Sequence, residues 1–167
     1  MDVCTVAQNA SLTPSPYCLA TVVSAKAIDT VLEAGGDGAY RDRHPWIVAK
    51  QLFAQAQDAG QSMPLLLAVP DDGGALTLSH WAQIIEIEAL ELHRGQWDSI
   101  CRFTPPQPMH PIWQTLDSVA LKPTAEQLKR EALEDLQQHR YHLSDAVIRP
   151  YAICETPPFL LKSGDGN

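Results

Sequence analysis

Residues 65–92 read LLLAVPDDGGALTLSHWAQIIEIEALEL. Leu65–Val69 is a short unbroken apolar run, the pattern of a strand covered on both faces. Pro64 and Pro70 bracket it, since a proline inside a central strand deletes a ladder hydrogen bond. Asp71-Asp72-Gly73-Gly74 is turn chemistry, with aspartates that bond nearby backbone and glycines that accept positive φ. After a short approach, Ile84–Leu92 alternates: Ile85, Ile87 and Ala89 fall on one side, Glu86 and Glu88 on the other, flanked by Ile84 and Leu90. The stretch is therefore expected to fold back on itself as two neighbouring strands.

Working outward, Tyr17–Val23 has strand composition. Ser24 is a helix N-cap, Ala25–Ala34 follows with Ile28, Val31 and Leu32 at helical spacing, and Gly35-Gly36 ends the helix. Asp37–His44 reads as a polar loop holding Tyr40, Arg41 and Arg43. Pro45 opens a second helix whose stripe is Ile47, Val48, Leu52, Phe53 and Ala56, with Gly60 at its end. C-terminal to the hairpin, Trp97–Phe103 is a further strand and Thr104–Pro111 an extended proline-rich loop. Ile112–Leu121 fits a short helix or a strand. Ala125–Arg140 is a surface helix with Thr124 and Gln127 as a capping box, Leu128, Ala132, Leu133 and Leu136 as its stripe, and a Glu126–Arg130 pair. Val147–Cys154 reads as an edge strand interrupted by Pro150. The expected organisation is a flexible arm (1–16), one α+β domain (17–161) and a disordered tail (162–167). The expected architecture is a mixed, mostly antiparallel curved sheet or small barrel, with two N-terminal helices and one C-terminal surface helix.

A chain of 167 residues, 45% hydrophobic and 19% charged, has the composition of a globular protein. Its formal charge of −8 opposes non-specific binding to a phosphate backbone. Cys4, Cys18, Cys101 and Cys154 form no C-x-x-C pair, so a zinc ribbon is not expected, and buried reduced thiols are. No secretory leader, transmembrane run or cofactor fingerprint is read in the sequence; a cytoplasmic protein without metal or cofactor is the expectation.

Three sets of residues carry the candidate chemistry. Trp81 can stack a flat ring while Ser79, His80, Arg41 and Asp71 contact its polar edge. Lys26 and Thr30, at i,i+4 on one helix face, can join Glu86 or Glu88 in a hydrolytic set in which lysine activates the hydroxyl. The proline-rich loop and the acidic surface offer a third possibility, a protein partner without a pocket. His139 and His142 suit cationic contact with a helix C-terminus.

The order of elements over residues 17–103 resembles the PUA-like group, which includes ASCH and EVE domains. The likeness runs through YCLATVVSAKAIDTVLEAGG, AYRDRH, MPLLLAV and HWAQIIEIEALEL. It implies a small mixed barrel that binds RNA, modified bases or nucleosides; some ASCH members are amidohydrolases using Lys, Thr and Glu. Where those carry a glycine–lysine–threonine run after the first helix, this chain has Gly35-Gly36-Asp37. The resulting expectation is a module that binds a modified nucleobase, nucleotide or similar planar ligand, with a small amidohydrolase as the alternative.

Overall fold

The computed structural model describes residues 12–135 and 140–161. Two N-terminal strands precede the first helix. β1 (Thr13–Pro14) pairs in parallel with β4 (Gln61–Ser62), and β2 (Tyr17–Val22) leads into α1 (Ala25–Ala34). The Ser24 hydroxyl accepts from the Ala27 N–H at 3.0 Å, and Gly35 closes the helix at φ 75°, a left-handed conformation that glycine adopts without steric cost. β3 (Gly38–Asp42), α2 (Ile47–Asp58), β5 (Pro64–Pro70), β6 (Leu76–His93), β7 (Gln96–Phe103) and β8 (Gln107–Pro108) follow. α3 (Ala125–Glu134), β9 (Ala152–Glu155) and α4 (Pro158–Leu161) complete the described chain.

The main sheet runs β3-β7-β6-β5-β2-β9, with β8 beside β6. β2 and β5 are parallel; the other pairs of this sheet are antiparallel. The fold is thus α+β with a mostly antiparallel sheet, and the sheet is open rather than closed as a barrel. β6 holds it together by changing partners: Leu76–Gln83 pairs with β5, Ile84–His93 with β7.

β5 is the strand buried on both faces that its apolar run predicts. Leu65 and Leu67 enter a core with Ile28 of α1 and Trp46, Ala49, Phe53 and Ala56 at and along α2. Leu66 and Ala68 enter a second core with Cys18, Leu78, Met109, Val119, Leu143, Cys154 and Leu160. Each face of one strand needs its own cover, so the molecule has two apolar layers.

The structure corrects several sequence-based expectations. Asp37–His44 is no loop: Gly38–Asp42 is an edge strand whose polar side chains suit one solvated face. The second hairpin strand begins at Leu76, so Ser79, His80 and Trp81 lie within it rather than on its approach. The register on β6 slips between Ile84 and Glu86, which makes Ile85 an unpaired bulge residue. The bulge inverts the alternation beyond it: Ile84 and Ile87 are both buried, whereas Ile85 is 43% exposed.

α3 has its capping box and its Glu126–Arg130 pair at 3.4 Å, but none of its described residues is buried: Leu133 is 78% exposed. It ends at Glu134, followed by Asp135 in left-handed geometry; Leu136 and His139 lie outside the described residues. Ile112–Leu121 is neither a helix nor a strand but two 3₁₀ turns, Pro111–Trp113 and Leu116–Ser118, with single bridges from Ala120 to His142 and from Leu121 to Cys154. The last strand starts after Pro150, at Ala152. The proline-rich loop docks on β6 through Gln107–Pro108 and buries Met109. Most of the expected arm falls outside the described residues; at its end, Ser15 is buried and its carbonyl accepts from the Thr156 hydroxyl at 2.7 Å. The expected tail, 162–167, also lies outside them. No helix among the described residues is long and apolar enough to cross a membrane.

Candidate functional site

A cleft of about 500 Å³ opens at the β3 edge of the sheet. Tyr40, Asp42 and His44 line one wall; Val22, Pro70, Gly74, Leu76 and the segment 146–150 line the rest. Alternation along β3 places Tyr40 and Asp42 on the same face. Among the described residues β3 pairs only with β7, so one of its edges carries no strand partner.

The residues after β3 hold Asp42 in place. Its Oδ1 accepts from the Arg43 N–H at 2.8 Å and faces His44 Nδ1 at 2.9 Å; its Oδ2 accepts from Trp46 Nε1–H at 2.8 Å. Trp46 is 1% exposed, with ring centroids 5.8 Å from Tyr40 and 4.7 Å from Tyr151. The buried Ser99 on β7 donates its hydroxyl to the His44 carbonyl at 2.6 Å and accepts from the Trp46 N–H at 3.3 Å. The Tyr151 hydroxyl accepts from the Ala49 N–H at 3.0 Å, at the start of α2. On the opposite wall Thr21 donates to the Pro150 carbonyl at 2.9 Å. Backbone and side chains therefore leave the carboxylate little freedom. With its Nδ1–H directed at Asp42, His44 in its neutral form keeps a lone pair on Nε2, and its side chain is 61% exposed.

These contacts decide the protonation of the site. Burial pushes the Asp42 carboxyl upward, but the hydrogen bonds from Trp46, His44 and the Arg43 amide together outweigh it and hold the group below its ordinary value of 3.8. Burial, reinforced by the Asp42 charge and partly offset by a hydrogen bond with Thr21, raises the Tyr40 phenol, so it stays protonated near neutral pH. A carboxyl depressed in the folded state contributes stability above its unfolded value, lost as pH falls through the folded value. Asp42→Asn is accordingly expected to flatten the acid limb of a stability curve from about pH 5 down through the folded value. Urea unfolding midpoints across that range would check this; acid limbs of equal slope in both proteins would refute it.

The residues expected to carry chemistry are scattered. Directly opposed residues of an antiparallel pair share a face. His80 stands opposite Leu67 of the first core, and Trp81 opposite Leu66 of the second. Their rings therefore point to opposite sides of the sheet and do not line one pocket. Trp81 is half-buried and meets Phe159 edge-on at 6.5 Å. Burial pushes the His80 imidazole down, against an opposing pull from Asp29 on α1. Ser79 is a bulge residue whose hydroxyl reaches His80 Nδ1 at 3.0 Å and whose carbonyl accepts from Met109.

Asp71 serves the hairpin turn, its Oδ1 accepting from the Gly73 and Ala75 N–H groups at 2.8 and 2.9 Å. Arg41 stands on the other face of β3 from Tyr40 and Asp42 and pairs with Asp98 at 3.3 Å. The Thr30 hydroxyl donates to the Lys26 carbonyl of its own helix at 2.9 Å, and Glu86 pairs across strands with Arg102 at 3.2 Å. Nothing in these contacts joins Lys26, Thr30 and Glu86, or Glu88, into one site. Among the described residues no group of three His, Cys, Asp or Glu side chains is placed to hold a metal ion.

Asp42 and His44 were missed because the stretch 37–44 reads as a loop. Its signal is the period-two series Tyr40, Asp42, His44 leading to Trp46, which becomes visible once DGAYRDRHPW is read as a strand running into a turn. Comparison of the chain with protein-family models, with curated proteins and with solved structures gave no match.

Proposed function

We propose that this chain is a binding module for a small planar ligand of the nucleobase class, seated in the β3 cleft rather than beside Trp81. The observation that supports it is the clamped Asp42 carboxylate next to His44 and the Tyr40 ring. The cleft volume falls within the range of about 300–1,000 Å³ usual for small-molecule sites. A carboxylate has roughly four acceptor positions; Arg43, His44 and Trp46 occupy three of them, leaving one for an N–H of the ligand. His44 Nε2 supplies a second acceptor, and the Tyr40 ring a flat apolar wall. The complementary ligand is a flat heterocycle with two adjacent N–H donors on one edge, as guanine has at N1 and its exocyclic N2. The acidic chain disfavours ligands bearing several phosphates.

A thermal-shift panel of free bases, methylated bases and nucleosides tests this, because a ligand that binds only the folded state raises Tm by mass action. Amino-bearing heterocycles are expected to raise Tm in the wild type. His44→Gln and Asp42→Asn should each weaken binding by about tenfold, the loss of one good hydrogen bond. Absence of any shift across the panel, or binding unchanged in both variants, would refute the reading.

A further inference from the structure

Cys18 on β2 and Cys154 on β9 stand directly opposite each other in the antiparallel register. Both are wholly buried and belong to the same core. Opposed residues of an antiparallel pair have Cα atoms about 4.5–5.5 Å apart. That lies within the span of about 4.4–6.8 Å that a disulfide bridges. We propose that Cys18 and Cys154 form a dithiol–disulfide pair, whose oxidation by a small disulfide such as oxidised glutathione ties the last strand covalently to β2. This inference is independent of the ligand site.

The exchange balances in two steps. One cysteine thiolate attacks the small disulfide, breaking its S–S bond, forming a mixed disulfide and expelling one small thiolate. The second cysteine thiolate attacks the protein-side sulfur of the mixed disulfide, forming the Cys18–Cys154 bond and expelling the other small thiolate. The two protons lost by the cysteines end on the two released thiols. One small disulfide is reduced and two protein thiols are oxidised.

The fold also sets the rate. Burial, reinforced by the neighbouring Cys154 thiol, pushes the Cys18 thiol well up, so little thiolate is present at neutral pH. The other edge of β9 is covered as well: the Lys122 N–H donates to the Ile153 carbonyl at 3.0 Å, and the Glu155 N–H to the Ala120 carbonyl at 2.8 Å. Exchange therefore requires β9 to open and is slow in the native state, fast during refolding.

The test is refolding of the full chain in a glutathione redox buffer, followed by peptide mapping and melting. The expected product is about 2 Da lighter than the reduced chain and contains a linked Cys18–Cys154 peptide. Its Tm should exceed that of the reduced protein by roughly 5–15 °C, because the bridge closes a long loop of the unfolded chain. Dithiothreitol should reverse the shift. Cys18→Ala and Cys154→Ala should each abolish the linkage, and Cys101→Ala should leave it intact. Mapping on the wild type does not depend on any variant folding. Reduced Cys18 and Cys154 after refolding, pairing with Cys4 or Cys101 instead, or an oxidised form that melts no higher than the reduced one would overturn the proposal.

Discussion

Trp46→Ala is expected to lower the unfolding free energy by about 3–5 kcal/mol, the range for deleting a large aromatic ring from a packed core. The indole is almost wholly buried between Tyr40 and Tyr151, and its Nε1–H is bonded to Asp42. Removing it leaves a cavity beneath the candidate site and one oxygen of a largely covered carboxylate without its donor. Trp46→Phe separates the two effects. It keeps most of the aromatic volume and deletes the donor, so the expected loss is smaller, about 1–3 kcal/mol. Its second signature is electrostatic: with one of the hydrogen bonds that lower it gone, the Asp42 carboxyl should titrate at higher pH than in the wild type. Urea unfolding and an NMR titration of Asp42 read the two effects. A Trp46→Ala protein within 1 kcal/mol of wild type, or an Asp42 carboxyl unmoved in Trp46→Phe, would contradict this account of the site.

The second large effect is at Gly38, where β3 begins. A Cβ built there lies 2.5 Å from Phe103 Cζ and 3.0 Å from Val31 Cγ1. Phe103 is 2% exposed, so its ring has no room to retreat. Gly38 thus serves a close approach, α1 above and β7 alongside, and not a backbone conformation. Gly38→Ala should cost about 1–3 kcal/mol through overpacking, and Gly38→Val more. Because the clash is with one ring, Phe103→Leu should partly rescue Gly38→Ala, with a coupling of at least about 0.5 kcal/mol between the two sites. Chemical denaturation of the two single variants and the double variant measures it. Additive losses would show that the strain lies elsewhere.

Much of the framework was legible because its causes are local. The Ser24 cap, the Gly35 stop, the Thr124–Gln127 capping box and the Asp71–Gly74 turn depend on residues a few positions apart, and all of them form. The apolar run at Leu65–Val69 announced a strand with two covered faces because no polar residue interrupts it. The strand Gly38–Asp42 was not legible in the same way. Its residues have weak strand preference, and the partner that makes it a strand, β7, lies some sixty residues further on. The stripe expected along α3 failed for a related reason: periodicity shows which residues share a face, not whether anything covers that face.

The amino-acid sequence by itself therefore determined where α1 starts and stops, where α3 starts, where the hairpin turns and which strand lies at the centre, since those depend on neighbouring residues. Tertiary structure alone decided which side chains meet. The bulges at Ser79 and Ile85 shift the parity of β6, and a shift of one residue moves every later side chain to the other face of the sheet. His80 and Trp81, neighbours on β6, face opposite sides by ordinary strand alternation, whereas the β2–β9 register brings Cys18 and Cys154, at opposite ends of the chain, face to face. Asp42, His44 and Trp46 close into one constellation because Ser99, on another strand, anchors the turn between them.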